Sequence, residues 1–422
     1  MKLRTAMLLP LLVGLAVGAL LLRERAPQRD PLAAALAPVA GDDANARDIA
    51  RLQSAIASAD APRLLERLGW AFIARARRED DPGFYKLAER AAQAMLERIP
   101  EDDGALLLLG HALASQHRFA EAEAIARPLA ARRGLPADHG LLGDVLLSQG
   151  RIAEATPAYQ AMMDLKSDSH AYARAAELRW QTGDVLGAVD AMAVAARATS
   201  ARSVDTFAWT WATLALYQRR AGAYAAATRS CDIALEVAPD SATAWTVRGR
   251  ILLAEERPAE AADAFGRAAA RSPLPETLWA YAEALRAAGR DEDAARAEAR
   301  LVATGERADP RGLALYLAAR RTDLPRALRL LARELEARQD ATTLGAIALA
   351  QSAAGDASGA WSVMQRALAA GTPDPRLQLQ AGLVAAAAGR PADAKAKFRA
   401  AAERRWLLLP SERRELDREL AS

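Results

Sequence analysis

Glycines recur in this chain at a spacing that few folds accommodate. Gly150, Gly183, Gly222, Gly289, Gly355 and Gly389 are separated by 33, 39, 67, 66 and 34 residues. Halving the two long gaps gives a period of about 34 residues, with the skipped positions at Glu256 and Thr322. Each of the eight positions lies between two Ala- and Leu-rich amphipathic stretches. A helix that must stop and reverse within two or three residues ends on a left-handed residue, which costs glycine little. The spacing therefore predicts a succession of antiparallel helix pairs.

What flanks each turn is equally regular. Five residues later comes an alanine: Ala155, Ala188, Ala227, Ala261, Ala294, Ala327, Ala360 and Ala394. Seven residues earlier comes Gly143, Ala176, Ala215, Gly249, Ala282, Ala348 or Gly382. Small side chains at these places let two helices approach closely, and a larger one would force them apart at about 1–3 kcal/mol. A large residue follows four positions past the alanine, as Tyr159, Met192, Phe265, Leu331, Met364 and Phe398, and is expected to bury itself between repeats at roughly 1.5–3 kcal/mol each. Helix starts are marked by Asp309-Pro310, Asp374-Pro375 and Pro239-Asp240, the pairing of a capping carboxylate with a residue whose φ is already helical. Only 5% of residues are aromatic, and the Ala/Leu-rich remainder of the apolar content favours helix.

The segment Trp245 to Pro273, through Trp245, Gly249, Ala261, Phe265, Ala268 and Pro273, resembles a tetratricopeptide repeat. Weaker copies extend from about Ala105 to Trp406, and an earlier pair, Leu65 to Pro100, fits if the turn Arg78 to Tyr85 is an insertion. The resemblance implies an all-α fold, a right-handed superhelical solenoid of about ten helix-turn-helix repeats. The expected organisation is a signal-anchor over 1–25, a Pro/Ala-rich tether over 26–45, N-terminal helices with an atypical first repeat over 46–100, the repeat array over 101–410, and a capping helix over 411–422.

Lys2 and Arg4 precede an uncharged run from Ala6 to Leu22, closed by Arg23-Glu24-Arg25. That length is at the lower limit for crossing a bilayer, and no small-residue cleavage site follows it. An inner-membrane anchor with the array in the periplasm is expected from the charge balance, the alternative being a cleaved signal and a secreted or periplasmic protein.

No constellation for chemistry is visible. His111, His117, His139 and His170 are scattered, with no spacing that puts two imidazoles on one helical face. The single cysteine, Cys231, admits no intramolecular disulfide or Cys-based zinc site and reads as a small core residue. Acid pairs such as Asp80-Asp81 and Asp102-Asp103 fall at helix starts, where the helix dipole favours them. No catalytic residue, metal or cofactor is predicted. The formal net charge is +3 with acids and bases interleaved, unlike the concentrated basic stripe of a nucleic-acid binder.

The expected partner is a protein or peptide. The resemblance implies that the first helix of each hairpin lines a concave groove, and counting into each unit places His111, Asp144, Glu177, Trp180, Arg219, Arg220, Arg250, Trp279, Glu283, Arg286, Tyr316 and Arg320 there. Arginines among Trp180, Trp279 and Tyr316 would suit an extended acidic and apolar peptide. Packing of the same tryptophans into neighbouring repeats fits the pattern equally. Repeat proteins that clamp the carboxylate tail of chaperones resemble one another in an Asn at the ninth position, where this chain has His111, Asp144, Glu177, Leu216, Arg250, Glu283 or Tyr316. A non-catalytic membrane-anchored adaptor in envelope assembly is the expected role. The alternative is a cytoplasm-facing regulatory subunit that delivers a membrane enzyme to a protease or chaperone, an architecture that resembles lipopolysaccharide-assembly regulators without their four-cysteine knuckle.

Overall fold

The computed structural model describes residues 30–59, 61–79 and 81–421. The chain is an all-α helical-repeat solenoid, and no strand occurs among the described residues. They fall into two compact units, divided between Ala112 and Leu113, with Arg78–Asp80 counted in the second.

Unit 1 holds α1 (Pro31–Ala35), α2 (Ala44–Ser58), α3 (Arg63–Glu79), α4 (Gly83–Leu96) and most of α5 (Asp103–Ser115). Ile49, Leu68, Phe72, Ala88, Ala92 and Leu108 share its core. The Pro/Ala-rich stretch is anchored within it: Ala35 is buried, and the Gln53 amide donates to the carbonyls of Ala35 and Ala37 at 3.0 and 2.8 Å.

Unit 2 continues with α6 (Phe119–Arg132) and then eight hairpins. They pair α7 (Pro136–Ser148) with α8 (Ile152–Leu165), α9 (Ser169–Gln181) with α10 (Val185–Ala198), α11 (Val204–Arg220) with α12 (Tyr224–Val237), and α13 (Ala242–Ala254) with α14 (Pro258–Arg271). The remaining four pair α15 (Pro275–Ala287) with α16 (Asp291–Ala308), α17 (Pro310–Arg320) with α18 (Leu324–Ala337), α19 (Ala341–Ala353) with α20 (Ala357–Leu368), and α21 (Pro375–Ala387) with α22 (Pro391–Ala402). A 3-10 turn at Arg405–Leu407 and α23 (Pro410–Ala421) follow.

The turns form where the period places them. The six glycines and Glu256 all have positive φ; at the eighth turn the left-handed residue is Arg321, one before the expected position, with Asp323 left-handed as well. The alanines that follow the turns are buried throughout. Each glycine seven residues before a turn makes room for an aromatic ring of its own hairpin. A Cβ on Gly143, Gly249 or Gly382 would lie 2.3, 2.8 or 2.3 Å from the ring of Tyr159, Phe265 or Phe398. Phe265 also shares a core with Leu278 and Trp279 of the next hairpin, so one ring closes a pair and joins two repeats. Asp309 and Asp374 cap as expected, accepting from the N–H of Gly312 and Arg376 at 3.1 and 2.9 Å. In the third case the cap is Ser241 rather than Asp240, because Pro239 and Asp240 form the preceding turn.

Unit 2 coils back on itself. A Cβ on Gly150 would lie 2.5 Å from the Gln339 carbonyl oxygen and one on Gly183 3.3 Å from that of Gly371. The Arg338 guanidinium sits 5.4 Å from the Phe119 ring centroid. Hairpin turns early in the unit thus rest on inter-hairpin links nearly 190 residues later.

One expectation is corrected. Among the described residues no helix is long and apolar enough to cross a membrane. The run Ala6 to Leu22 lies outside those residues, so the placement of an anchored array in the periplasm has no structural support and is withdrawn.

Candidate functional site

Consecutive first helices of unit 2, from α11 through α21, pack in series. The face they share is crossed by the C-terminal residues: Arg405–Leu407 meet α13 and α21, and α23 meets α15 and α21. The space between those helices is narrow. Arg376 at the start of α21 approaches Glu276 on α15 at 3.5 Å and stands 5.0 Å from the Trp279 ring centroid.

The C-terminal segment is held there by specific bonds. Glu283 accepts from the Ser411 N–H at 3.0 Å and from its hydroxyl at 2.7 Å. Arg376 donates to Glu412 at 2.6 Å, and the same carboxylate accepts from the Leu409 N–H at 2.7 Å. Arg413 donates back to the carbonyls of Leu408 and Trp406 at 3.0 and 2.9 Å, fixing the approach to α23. Leu408 and Leu409 are buried. Ser411 therefore lies within the first turn of α23 and turns its hydroxyl to Glu283 instead of capping its own helix.

The residues expected on the concave face are distributed as follows. His111 belongs to unit 1, with its ring 5.3 Å from that of Trp70. Asp144 accepts from Arg174 at 2.6 and 2.8 Å and from the Tyr159 hydroxyl at 3.0 Å. Glu177 accepts from the Tyr217 hydroxyl at 2.6 Å and from Gln181 at 2.7 Å; burial first, and Glu177 second, raise the Tyr217 pKa. Trp180, Trp279 and Tyr316 are 4, 2 and 6% exposed, and the rings of Trp279 and Tyr316 meet edge to face at 5.5 Å. The Trp180 and Trp279 rings are met by Arg220 and Arg376 of other hairpins, so these faces are taken up between repeats.

Three of the arginines are paired within the chain. Arg250 donates to Glu276 at 2.6 Å, and its charge, before that of Arg376, holds the Glu276 carboxyl at about 2. Arg286 and Arg320 share Glu298, at 2.7 and 3.0 Å. Arg220 stands 4.2 Å from the Trp180 ring centroid, and Arg219 is 5% exposed. Burial, then Arg250 and Arg220, push the Arg219 pKa well below its ordinary value.

Two hollows open beside the C-terminal segment. One of about 540 Å³ is lined by Arg320, Ser411, Arg414, Glu415, Asp417 and Arg418. The other, about 240 Å³, is lined by Val185, Leu186, Arg220, Ala221, Glu403, Arg404 and Trp406. Trp406, Arg376, Glu412 and Arg413 are absent from the expected site. Their signal is the run Trp406-Leu407-Leu408-Leu409, an apolar stretch that belongs to no repeat and has to be covered by something. Among the described residues no three His, Cys, Asp or Glu side chains gather as metal ligands. Cys231 is buried, which pushes its thiol up to about 12.

No family model and no curated protein matches the chain. Solved structures do. Human IFIT1 as a dimer with m7Gppp-AAAA matches with a TM-score of 0.50 at 12% identity, covering 89% of this chain and 99% of that one. A monomeric mutant of IFIT1 with Gppp-AAAA matches with a TM-score of 0.50 at 11% identity, covering 88% and 99%. At such identity the likeness is one of fold, a tetratricopeptide-type array of helical repeats.

Proposed function

We propose that this protein is a non-catalytic interaction scaffold, and that the first-helix face of unit 2 takes an extended partner segment of apolar and acidic character. The supporting observation is the chain's own C-terminal segment on that face. It places an apolar run, Trp406 to Leu409, ahead of Glu412, which pairs with Arg376. A segment of this chemistry lies on the face, and hollows open beside it, one bordered by Arg320, Arg414 and Arg418 with Glu415 and Asp417, the other by Arg220 and Arg404 with Glu403. A peptide seated there gains apolar burial and charge-assisted hydrogen bonds together.

A phosphate-bearing oligonucleotide is the competing occupant, because the IFIT1 structures of similar fold hold such molecules. The interleaved charge of this chain and the pairing of Arg250, Arg286 and Arg320 with its own carboxylates favour the peptide.

The test is photocrosslinking from the full-length protein in extract of its source cells, with the reactive group at Arg320 on the inner face or at exposed Asp263 on α14. A protein captured from Arg320 and not from Asp263, and competed by a peptide spanning residues 405–418, supports the reading. Capture of RNA from Arg320, or of protein only from Asp263, refutes it.

A further inference from the structure

Residues 405–421 form a hook that holds its own shape. Arg405 reaches Asp417 at 2.8 and 2.9 Å, Arg413 reaches the carbonyls of Leu408 and Trp406, and Glu412 takes the Leu409 N–H. These bonds tie the 3-10 turn, the two leucines after it and α23 to one another rather than to the repeats. Leu408 enters the core around Leu377 and Phe398, and Leu409 the core around Leu278 and Trp279. α23 itself buries one apolar side chain, Leu416, and leaves Leu420 44% exposed. Two polar links complete the seat, Ser411 on Glu283 and Glu412 on Arg376. The hook also fills that seat incompletely. Hollows of about 540 and 240 Å³ open along it, and the Trp406 indole N–H, buried beside the smaller one, meets no acceptor. A settled interior pairs such a donor and closes such space. The connection to the repeats is short: α22 ends at Ala402, and Glu403 and Arg404 carry the chain to the hook.

We propose that residues 405–421 are a latch, a displaceable occupant that keeps the first-helix face of unit 2 closed until a partner segment of the same chemistry expels it. The inference rests on the reading that this face binds a partner, and adds what the partner must bring. Departure of the latch leaves Glu283, 1% exposed when closed, without the Ser411 N–H and hydroxyl. It leaves Arg376 with Glu276 at 3.5 Å in place of Glu412 at 2.6 Å. A buried carboxylate without donors is costly, so the incoming segment has to replace both links. It must offer an N–H and a hydroxyl together, followed by an acid. N–H groups free of intrahelical bonds stand at a helix N-terminus. The partner segment is therefore an apolar stretch leading into a helix whose first turn carries Ser or Thr and then Asp or Glu. A short tether gives the latch an effective concentration on the order of millimolar at its seat, so a weak free segment does not open the face.

The test uses the full chain and a fluorescein-labelled peptide of residues 405–418, with binding read by fluorescence anisotropy. Ser411→Asp combined with Glu412→Lys sets like charge against Glu283 and Arg376 and leaves every repeat residue unchanged. The double variant is expected to keep its helical circular dichroism and to bind the peptide about tenfold more tightly than the wild type or better, because apparent affinity scales with the fraction of open face. The same two substitutions placed in the peptide are expected to abolish that gain. A folded double variant that binds no better than the wild type, or that takes the substituted peptide equally well, overturns the latch. Should the double variant lose its helical signal, Ser411→Asp alone is carried through the same titration; loss of helicity there too makes the hook an integral part of the fold and overturns the latch. Failure here with protein still captured from Arg320 removes the latch and leaves the scaffold. A gain in peptide binding with no protein captured from Arg320 in either form keeps the latch and removes the scaffold reading instead.

Discussion

Glu283 and Ser411 stand 128 residues apart, yet one carboxylate takes both the N–H and the hydroxyl of the serine, at 3.0 and 2.7 Å. Glu283 is 1% exposed, so these bonds are what compensates its burial, with Arg320 at 3.9 Å. Glu283→Ala is expected to cost about 2–3 kcal/mol by leaving buried donors unmet. It is also expected to free the C-terminal segment, which limited trypsinolysis reads as faster cleavage after Arg404 and Arg405. Cleavage at the wild-type rate would show that the segment is held by other means.

The coil of unit 2 makes two turn glycines unequal. Gly355 has a φ of +99° and nothing within 4 Å of where a Cβ would stand, whereas Gly150, with a φ of +79°, would put one 2.5 Å from the Gln339 carbonyl oxygen. Gly355→Ala is expected to cost about 1 kcal/mol through backbone conformation alone. Gly150→Ala adds a clash with backbone and is expected to reach about 3 kcal/mol. Urea midpoints compare the two, and equal losses would mean that residues 150 and 339 do not touch in solution.

Within one hairpin, Gly382 faces the Phe398 ring, with 2.3 Å left for a Cβ. Gly382→Ala is expected to cost about 1–3 kcal/mol by overpacking. Combined with Phe398→Leu it is expected to cost less than the two single changes together, with a coupling of about 0.5–1 kcal/mol or more. Strict additivity in a double-mutant cycle would separate the two residues.

His117 adds one pH dependence above the carboxylate range. Burial first, then the charges of Arg338 and Arg311, lower its pKa to about 4. A histidine depressed in the folded state is charged more readily when unfolded, so it contributes stability that is lost as pH falls from 6.5 toward 4. The ring keeps contact with solvent, which makes the effect small. His117→Gln is expected to flatten the melting-temperature profile between pH 6.5 and 5.5, above the window from about 4.5 down to about 2 in which the contributions of Glu123 and Glu276 are lost. Superimposable profiles would contradict the assignment.

The hairpins were legible in the sequence because their causes are local. Gly150 to Gly389 set the turns, the alanines five residues on set the close approach, and Phe265 or Phe398 fills the gap left by its facing glycine. The face proposed for binding was less legible, for a physical reason. Which residues meet across a solenoid depends on its pitch, the sum of small rotations at each repeat, and no periodicity reports that. The position rule counted Arg250, Trp279 and Glu283 into first helices, but could not see that Arg376 would reach Glu276 or that Ser411 would reach Glu283. Nor could it distinguish Arg219, with no carboxylate of its own, from Arg250, Arg286 and Arg320, which have them.

Where a partner touches unit 2 decides whether the first-helix face is the binding surface. Hydrogen–deuterium exchange of the full chain, alone and with the protein captured at Arg320, locates that surface helix by helix. Added protection is expected on α11, α13 and α15, with altered exchange in residues 403–421. Protection confined to the second helices α12, α14 and α16 would place the partner on the opposite face and contradict the account.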